Sequence, residues 1–213
     1  IVPGTPATVE TARGRITADT VILAGNGYLE GLDAELEARV MPINNYILTT
    51  APLGERMKAL IPGGEAVADS RFVVYYWRPT VDGRLLFGGG ETYSRRFPAD
   101  VKGFVRRHML NLYPGLADVA IDHAWGGTLA VTVKRLPFIR RLKSGVYAGS
   151  GYSGQGVATA TFAGHVLARA IEGDTARLDT FAALPTPAFP GGKWLRAPSL
   201  ALAMTWFALR DRL

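Results

Sequence analysis

Apolar and polar residues alternate, run together, and recur at helical spacing in different parts of this chain, and each pattern predicts a different element. Thr8 to Thr11 and Arg15 to Asp19 alternate on either side of Arg13-Gly14, which predicts a small hairpin. Thr20 to Ala24 is continuously apolar and is closed by Gly25-Asn26-Gly27. That pattern predicts a buried parallel strand ending at a close backbone approach. Gly25 there serves either as structural punctuation or as a ligand contact. Leu32 to Val40 reads as a short polar helix or loop. From Met41 the character is β, in the runs Pro42 to Thr50, Phe72 to Pro79 and Arg84 to Gly88. The turn Val81-Asp82-Gly83 lies between the last two and is a hairpin signal. This middle region predicts an antiparallel sheet with one covered face. Ala99 to Tyr113 predicts a helix with Val101, Phe104, Val105, His108, Met109 and Leu112 on one stripe, and Pro114-Gly115 stops it. His108 on that stripe reads as a packed core residue. Val119 to Trp125 alternates as a further strand.

The stretch Gly145 to Gly156 and the run behind it to Glu172 read as strand, glycine-rich turn and helix. Val146, Tyr147 and Ala148 form the strand; Val157, Ala160, Phe162, Ala163, Val166, Leu167, Ala170 and Ile171 give the helical spacing. Glycines in such a turn let backbone N–H groups approach a ligand, and the helix start favours negative charge. Gly149, Gly151 and Gly154 satisfy the G-x-G-x-x-G spacing of a dinucleotide fingerprint. That fingerprint also requires a second strand ending in Asp or Glu about 20 residues on. Here Glu172 to Arg177 leads instead to Phe181 and a proline-rich tail, so a nicotinamide or S-adenosylmethionine Rossmann reading fails. The turn is left as a ligand contact of another kind or a tight strand–helix connection that touches nothing.

Composition narrows the classes. The 213 residues are 48% apolar and 20% charged, as in globular proteins, and suffice for one large or two small domains. The net charge of +6 is dispersed, without aromatic interleaving, so no nucleic-acid partner is expected. There is no cysteine, and His108, His123 and His165 share no metal-ligand spacing, so no metal site is expected. No run reaches the roughly 18 apolar residues of a membrane span, and a cytoplasmic protein is expected. The chain begins at Ile1 in mid-pattern, as a processed or truncated piece would. Beyond Phe181, prolines at 185, 187, 190 and 198 interrupt regular structure, and Leu200 to Leu209 predicts an apolar helix. That helix suits docking on the core or on a further domain, or an interfacial position.

Three blocks then carry a family resemblance: Arg15 to Gly25, Asp82 to Gly90, and Gly151 to Gly156 with its helix through Gly164. In that order they resemble the D-amino-acid-oxidase-like superfamily of FAD-dependent amine oxidoreductases. Ala24 to Asn26, Gly88 to Gly90, Gly151 to Gly154, Pro190 to Gly192 and Leu209 to Leu213 resemble its gamma-glutamylputrescine oxidoreductases. The resemblance implies an α/β (α+β) fold: part of a FAD-binding Rossmann-like domain interrupted by an antiparallel β-sheet substrate domain with a packed helix. It assigns residues 1–40 and 125–180 to the FAD-binding domain, 41–124 to the substrate domain and 181–213 to a tail and docked helix.

The same resemblance implies that FAD is held mainly by an N-terminal fingerprint this chain lacks, so that the missing N-terminal half is a partner. Gly151, Tyr152, Ser153, Gly154, Gln155 and Gly156 would be the second flavin-contacting turn, near the pyrimidine end of the ring. Gly25 would line the adenosine or diphosphate side. The implied reaction oxidises the C–N bond of a small-molecule amine by hydride transfer to the flavin, followed by hydrolysis of the imine. No acid–base residue is singled out for catalysis. Amino-acid-oxidising members carry an Arg that clamps the substrate carboxylate; Leu129-Ala130 stands at those positions here, favouring an amine whose reacting carbon bears no carboxylate. Tyr76 and Arg78 share one strand face on the substrate side. Arg78 either binds an anionic substrate tail or is an exposed residue with a salt-bridge partner, and Glu91 is equally open. If these residues are the whole protein, the alternative is a non-catalytic α+β binding module.

Overall fold

The central strands follow from alternation, and their register decides which face is covered. The computed structural model describes residues 1–29, 31–71, 73–92 and 96–191, with single positions at 195, 198 and 202. In chain order the elements are β1 (Ala7–Thr11), β2 (Gly14–Ala18), β3 (Val21–Leu23), α1 (Ala34–Arg39), β4 (Met41–Thr50), α2 (Glu55–Leu60), β5 (Val67–Ala68), β6 (Tyr76–Pro79) and β7 (Leu85–Thr92). They continue with α3 (Val101–Leu112), β8 (Ile121–Val131), β9 (Phe138–Lys143), β10 (Val146–Ser150), α4 (Gly156–Ile171) and α5 (Ala176–Ala182). Short 3-10 turns lie at Asn26–Tyr28 and Pro114–Leu116. The α/β fold, with antiparallel sheets and packed helices, is the one expected.

The chain divides into two compact units. The first joins Ile1–Ile43 to Thr128–Ser199, and the second is built on Asn44–Gly127. In the first, β3 pairs in parallel with β10, and β10 pairs antiparallel with β9. Leu23, Leu36, Val40, Ala130, Phe138, Val146 and Ala148 form one core, with Ala7 of the hairpin. A second core lies under α4, where Ala163, Val166, Leu167 and Ala170 meet Ile139, Tyr152 and Leu178. The helix was expected to bury a wider stripe. Val157, Phe162 and Ile171 are instead exposed, because only one side of a helix can face this sheet and α5. β3 also differs from expectation: it is parallel, but only Leu23 of its three residues is buried and Ile22 is 45% exposed.

The second unit carries the sheet ordered β5-β6-β7-β4-β8, of which β4 begins and β8 ends in the first unit's sequence. Tyr46, Leu48, Leu85 and Phe87 point to one face and pack with Val105 and Met109 of α3. Asp100 caps α3 by accepting from the Gly103 N–H at 2.8 Å, satisfying a donor that the helix cannot. Arg84 ties three strands together, donating to the Thr50 carbonyl at 3.0 Å and pairing with Asp82 and Asp122. The run Phe72 to Pro79 yields a strand only over Tyr76–Pro79, because Asp69 captures the Tyr75 N–H at 2.9 Å in a loop. Phe72 lies outside the described residues, as does the predicted apolar helix Leu200 to Leu209 apart from Leu202.

His108 packs inside this unit, with its Nδ1 2.6 Å from the Tyr75 hydroxyl and its ring against Phe104. Burial, then the nearby Arg107 and Arg71 cations, push its pKa below the ordinary value. The folded state therefore binds that proton less readily than the unfolded chain. Stability from this site is present above the unfolded pKa of about 6.5 and is lost as pH falls from there through the lower folded pKa. Chemical denaturation between pH 8 and 5 should show this loss, and His108→Gln should flatten it. Phe87→Ala should lower the unfolding free energy by about 3–5 kcal/mol, since a buried ring is replaced by a cavity.

Candidate functional site

The pairing of β3 with β10 brings the ends of two remote segments together. Val146, Tyr147 and Ala148 lie opposite Val21, Ile22 and Leu23, so Gly25 and Asn26 follow one strand where Ser150 and Gly151 follow the other. The buried Ser150 hydroxyl donates to the Asn26 carbonyl at 3.3 Å, which fixes the two ends.

Beyond Ser150 the chain turns through left-handed backbone at Gly151 (φ 70°), Ser153 (φ 52°) and Gly154 (φ 94°) before entering α4. Each glycine has its own reason. A Cβ on Gly151 would lie 2.6 Å from the Thr132 methyl, so both its backbone and its surroundings demand glycine. Gly154 has open space where a Cβ would stand, so only its backbone conformation selects glycine. Gly149, the first residue of the apparent fingerprint spacing, is not in the turn. It pairs with Ile139 inside β10, and a Cβ there would sit 2.9 Å from the Tyr152 hydroxyl. The spacing is therefore one of packing and turn geometry combined.

The turn is held from one side and open on the other. The Ser153 N–H donates to the Ala130 carbonyl at 2.9 Å, and the Ser153 Oγ accepts from the Thr132 N–H at 3.2 Å. The Gln155 N–H donates to the Tyr152 carbonyl at 2.8 Å. The Tyr152 ring is buried in the core beneath α4, and burial raises its pKa. Only its backbone is left to serve the turn. Gly154 and Gln155 are exposed, and Val157 is 96% exposed. No side chain caps α4, and its first turn carries no acidic residue. The first N–H groups of a 16-residue helix thus face outward with the positive end of the helix dipole.

The other expected positions sort by unit. Gly25 packs on Leu29, whose Cδ2 would lie 2.7 Å from a Cβ. Leu129 is half-buried; its carbonyl and that of Thr128 press on Gly27, where a Cβ would come within 2.9 and 2.5 Å of them. Ala130 is fully buried. Tyr76 and Arg78 belong to the second unit, on one face of β6. The sequence reading missed Asn26 as a site residue. It adopts φ 47°, and its side-chain oxygen is buried without a hydrogen-bond partner among the described residues. An Asn between two glycines at a strand end is the signal, since Asn tolerates left-handed backbone.

Other hollows and clusters offer less. A hollow of about 290 Å³ in the second unit is lined by Leu60, Leu112 and Tyr113 beside Arg56, whose charge Asp118 already matches. Among the described residues, no group of three His, Cys, Asp or Glu side chains could hold a metal ion. None of the described helices is long and apolar enough to cross a membrane.

Comparison with known proteins places this geometry. Residues 2–170 match the family model described as DAO, FAD dependent oxidoreductase. The chain is 46% identical over 209 residues to a probable oxidoreductase OrdL of Rhizobium meliloti, covering 98% of this chain and 49% of that protein. It is 43% identical over 211 residues to gamma-glutamylputrescine oxidoreductase of Escherichia coli, covering 98% and 50%. The chain therefore spans about half the length of the curated relatives it matches. Among solved structures, L-proline dehydrogenase from P. horikoshii superposes with a TM-score of 0.63 at 23% identity, over 80% of this chain and 47% of that one, a likeness of fold. On the match over residues 2–170 and these identities, the chain belongs to the DAO family of FAD-dependent oxidoreductases.

Proposed function

We propose that this chain forms the flavin-facing and substrate-facing part of a FAD-dependent amine oxidoreductase that acts in the cytoplasm, in putrescine catabolism. In this reading the dinucleotide fingerprint comes from a preceding segment of the same enzyme. The observation that carries it is the outward-facing, uncapped start of α4 behind the left-handed turn Gly151 to Gly154.

The residues present fit a flavin. Gly154 leaves room for close approach, and the N–H groups at the start of α4 lack side-chain caps. When bound, FAD supplies the acceptor for a hydride from the amine-bearing carbon, and the released imine hydrolyses to an aldehyde. This chain's part is electrostatic. The N–H groups of Gly154, Gly156 and Val157, with the helix dipole behind them, favour negative charge at the pyrimidine end of the ring. Ser153, held by Ala130 and Thr132, fixes where those donors point. Gly25 and Asn26 lie on the adenosine or diphosphate side.

Two features support a further segment. β3 is hydrogen-bonded only to β10 among the described strands, with Ile22 45% exposed. α4 also presents the apolar side chains of Val157 and Ile171 to solvent, one near each end of the helix.

For the substrate, Leu129 and Ala130 supply no cation where amino-acid-oxidising members have their arginine. The reading is an amine whose reacting carbon carries no carboxylate, of the gamma-glutamylputrescine kind named for the Escherichia coli relative. The purified full-length protein should show flavin absorbance that bleaches anaerobically with gamma-glutamylputrescine, yielding an aldehyde. Faster turnover of glycine or sarcosine overturns the substrate assignment. Val157→Glu should make the flavin harder to reduce, by about 0.3–1 kcal/mol for one acid at a helix start. A spectroscopic redox titration measures this. Gly151→Ala should destabilise the protein more than Gly154→Ala, because only the former adds a clash to the backbone strain. Denaturant midpoints of the two variants decide it.

A further inference from the structure

The sheet of the second unit has one face committed to α3, and its opposite face is sorted by charge. Tyr46, Leu48 and Phe87 belong to the core with α3, so alternation turns Asn45, Ile47 and Thr49 of β4 the other way. Cross-strand register extends that face in three rows. Asn45 lies opposite Glu91; Ile47 opposite Gly88 and, beyond it, Tyr76; Thr49 opposite Leu86 and, beyond it, Arg78. A register shift between Asn45 and Ile47 keeps Glu91 on this face.

The rows differ in chemistry. At one end stand a carboxylate and a carboxamide. The Tyr76 hydroxyl reaches that end, donating to the Asn45 Oδ1 at 2.6 Å. Its ring lies on Gly88, where any Cβ would collide with it. Burial, and then the Glu91 charge, raise the Tyr76 pKa to about 12, so the phenol keeps its proton for Asn45 and its oxygen can still accept. The middle is apolar: Ile47, the Tyr76 ring and Leu86, all half-buried. At the far end Arg78 is exposed, its guanidinium donating to the Pro79 carbonyl at 3.2 Å. Thr49 beside it is 6% exposed with a buried hydroxyl that has no hydrogen-bond partner among the described residues. From Asn45 to Thr49 the strand advances four residues, about 13 Å.

We propose that this face is a two-ended binding surface for a flexible amine with an ammonium at one end and a carboxylate at the other. Glu91, Asn45 and the Tyr76 oxygen take the ammonium. Ile47, the Tyr76 ring and Leu86 cover the methylene chain, and Arg78 with Thr49 takes the carboxylate. The choice of ligand class rests on the amine-oxidoreductase reading, while the order of poles rests on the register. Charge complementarity at both ends is what selects such a molecule over a monoamine or a simple diamine.

The test uses the full-length flavin-loaded protein and two probes, gamma-glutamylputrescine and putrescine, with Kd by isothermal titration and flavin reduction followed separately. Arg78→Gln should raise the ratio of the two Kd values about tenfold, because only one probe carries a carboxylate. Glu91→Gln should weaken both probes about tenfold and leave the ratio in place. Asn45→Asp retains the acceptor for Tyr76 and adds a charge, so it should tighten both, a gain that misfolding cannot imitate. An unchanged ratio in Arg78→Gln, Kd values within about twofold in Glu91→Gln, or no binding of either probe to the unmodified protein overturns the proposal. If the predicted binding pattern appears but neither probe reduces the flavin, the two-ended surface stands and the oxidation reading falls.

Discussion

Three parallel rungs join Val21, Ile22 and Leu23 to Val146, Tyr147 and Ala148, across more than half the length of the chain. Long-range parallel pairing gains nothing until the intervening residues have folded out of the way. The middle of the chain does so as a separate unit with its own core. Once the rungs form, Gly25 and Asn26 stand beside Ser150 and Gly151, and the turn into α4 has a fixed floor. Ser153 is then held by Ala130 and Thr132, so the turn cannot relax toward ordinary right-handed backbone. The outward-facing start of α4 stands on that floor.

Glycine has several duties in this chain, and they separate by what surrounds each one. Gly149 and Gly25 make room for Tyr152 and Leu29; Gly88 makes room for the Tyr76 ring; Gly154 is needed for its backbone alone. The G-x-G-x-x-G spacing mixes these duties, which explains why it imitates a dinucleotide fingerprint without the strand that would follow one. The second unit shows the same economy. Removing the side chain at Gly88 lets an aromatic ring lie across the sheet, giving an apolar middle between Glu91 and Arg78.

Much of the fold was legible in the residues. The hairpin around Arg13-Gly14, the β run from Met41, the Asp82-Gly83 turn, and the helices at Val101–Leu112 and Gly156–Ile171 all follow from period and punctuation. His108 was also legible as a packed residue from its stripe. Less legible were α2, β9 and α5, whose short runs carry weak periodicity. Asn26 was missed because its significance lies in a buried oxygen without a hydrogen-bond partner among the described residues, which no spacing reveals. The buried stripe on α4 is narrower than the apolar spacing implies, since Val157 faces solvent and Phe162 is only partly covered, by Phe181.

The longer elements, the glycine positions and the resemblance that the family match bears out are legible in the residues alone. These depend on local backbone preference and on hydrophobic period, both carried within a few residues. Only the tertiary structure decided that Gly149 belongs to a strand while Gly151 and Gly154 form the turn. It also placed the Tyr152 ring in the core and set Asn45, Glu91, Tyr76 and Arg78 in ordered rows on one face. Those outcomes depend on register between strands remote in sequence, and a single-residue slip of one strand would send its side chains to the opposite face.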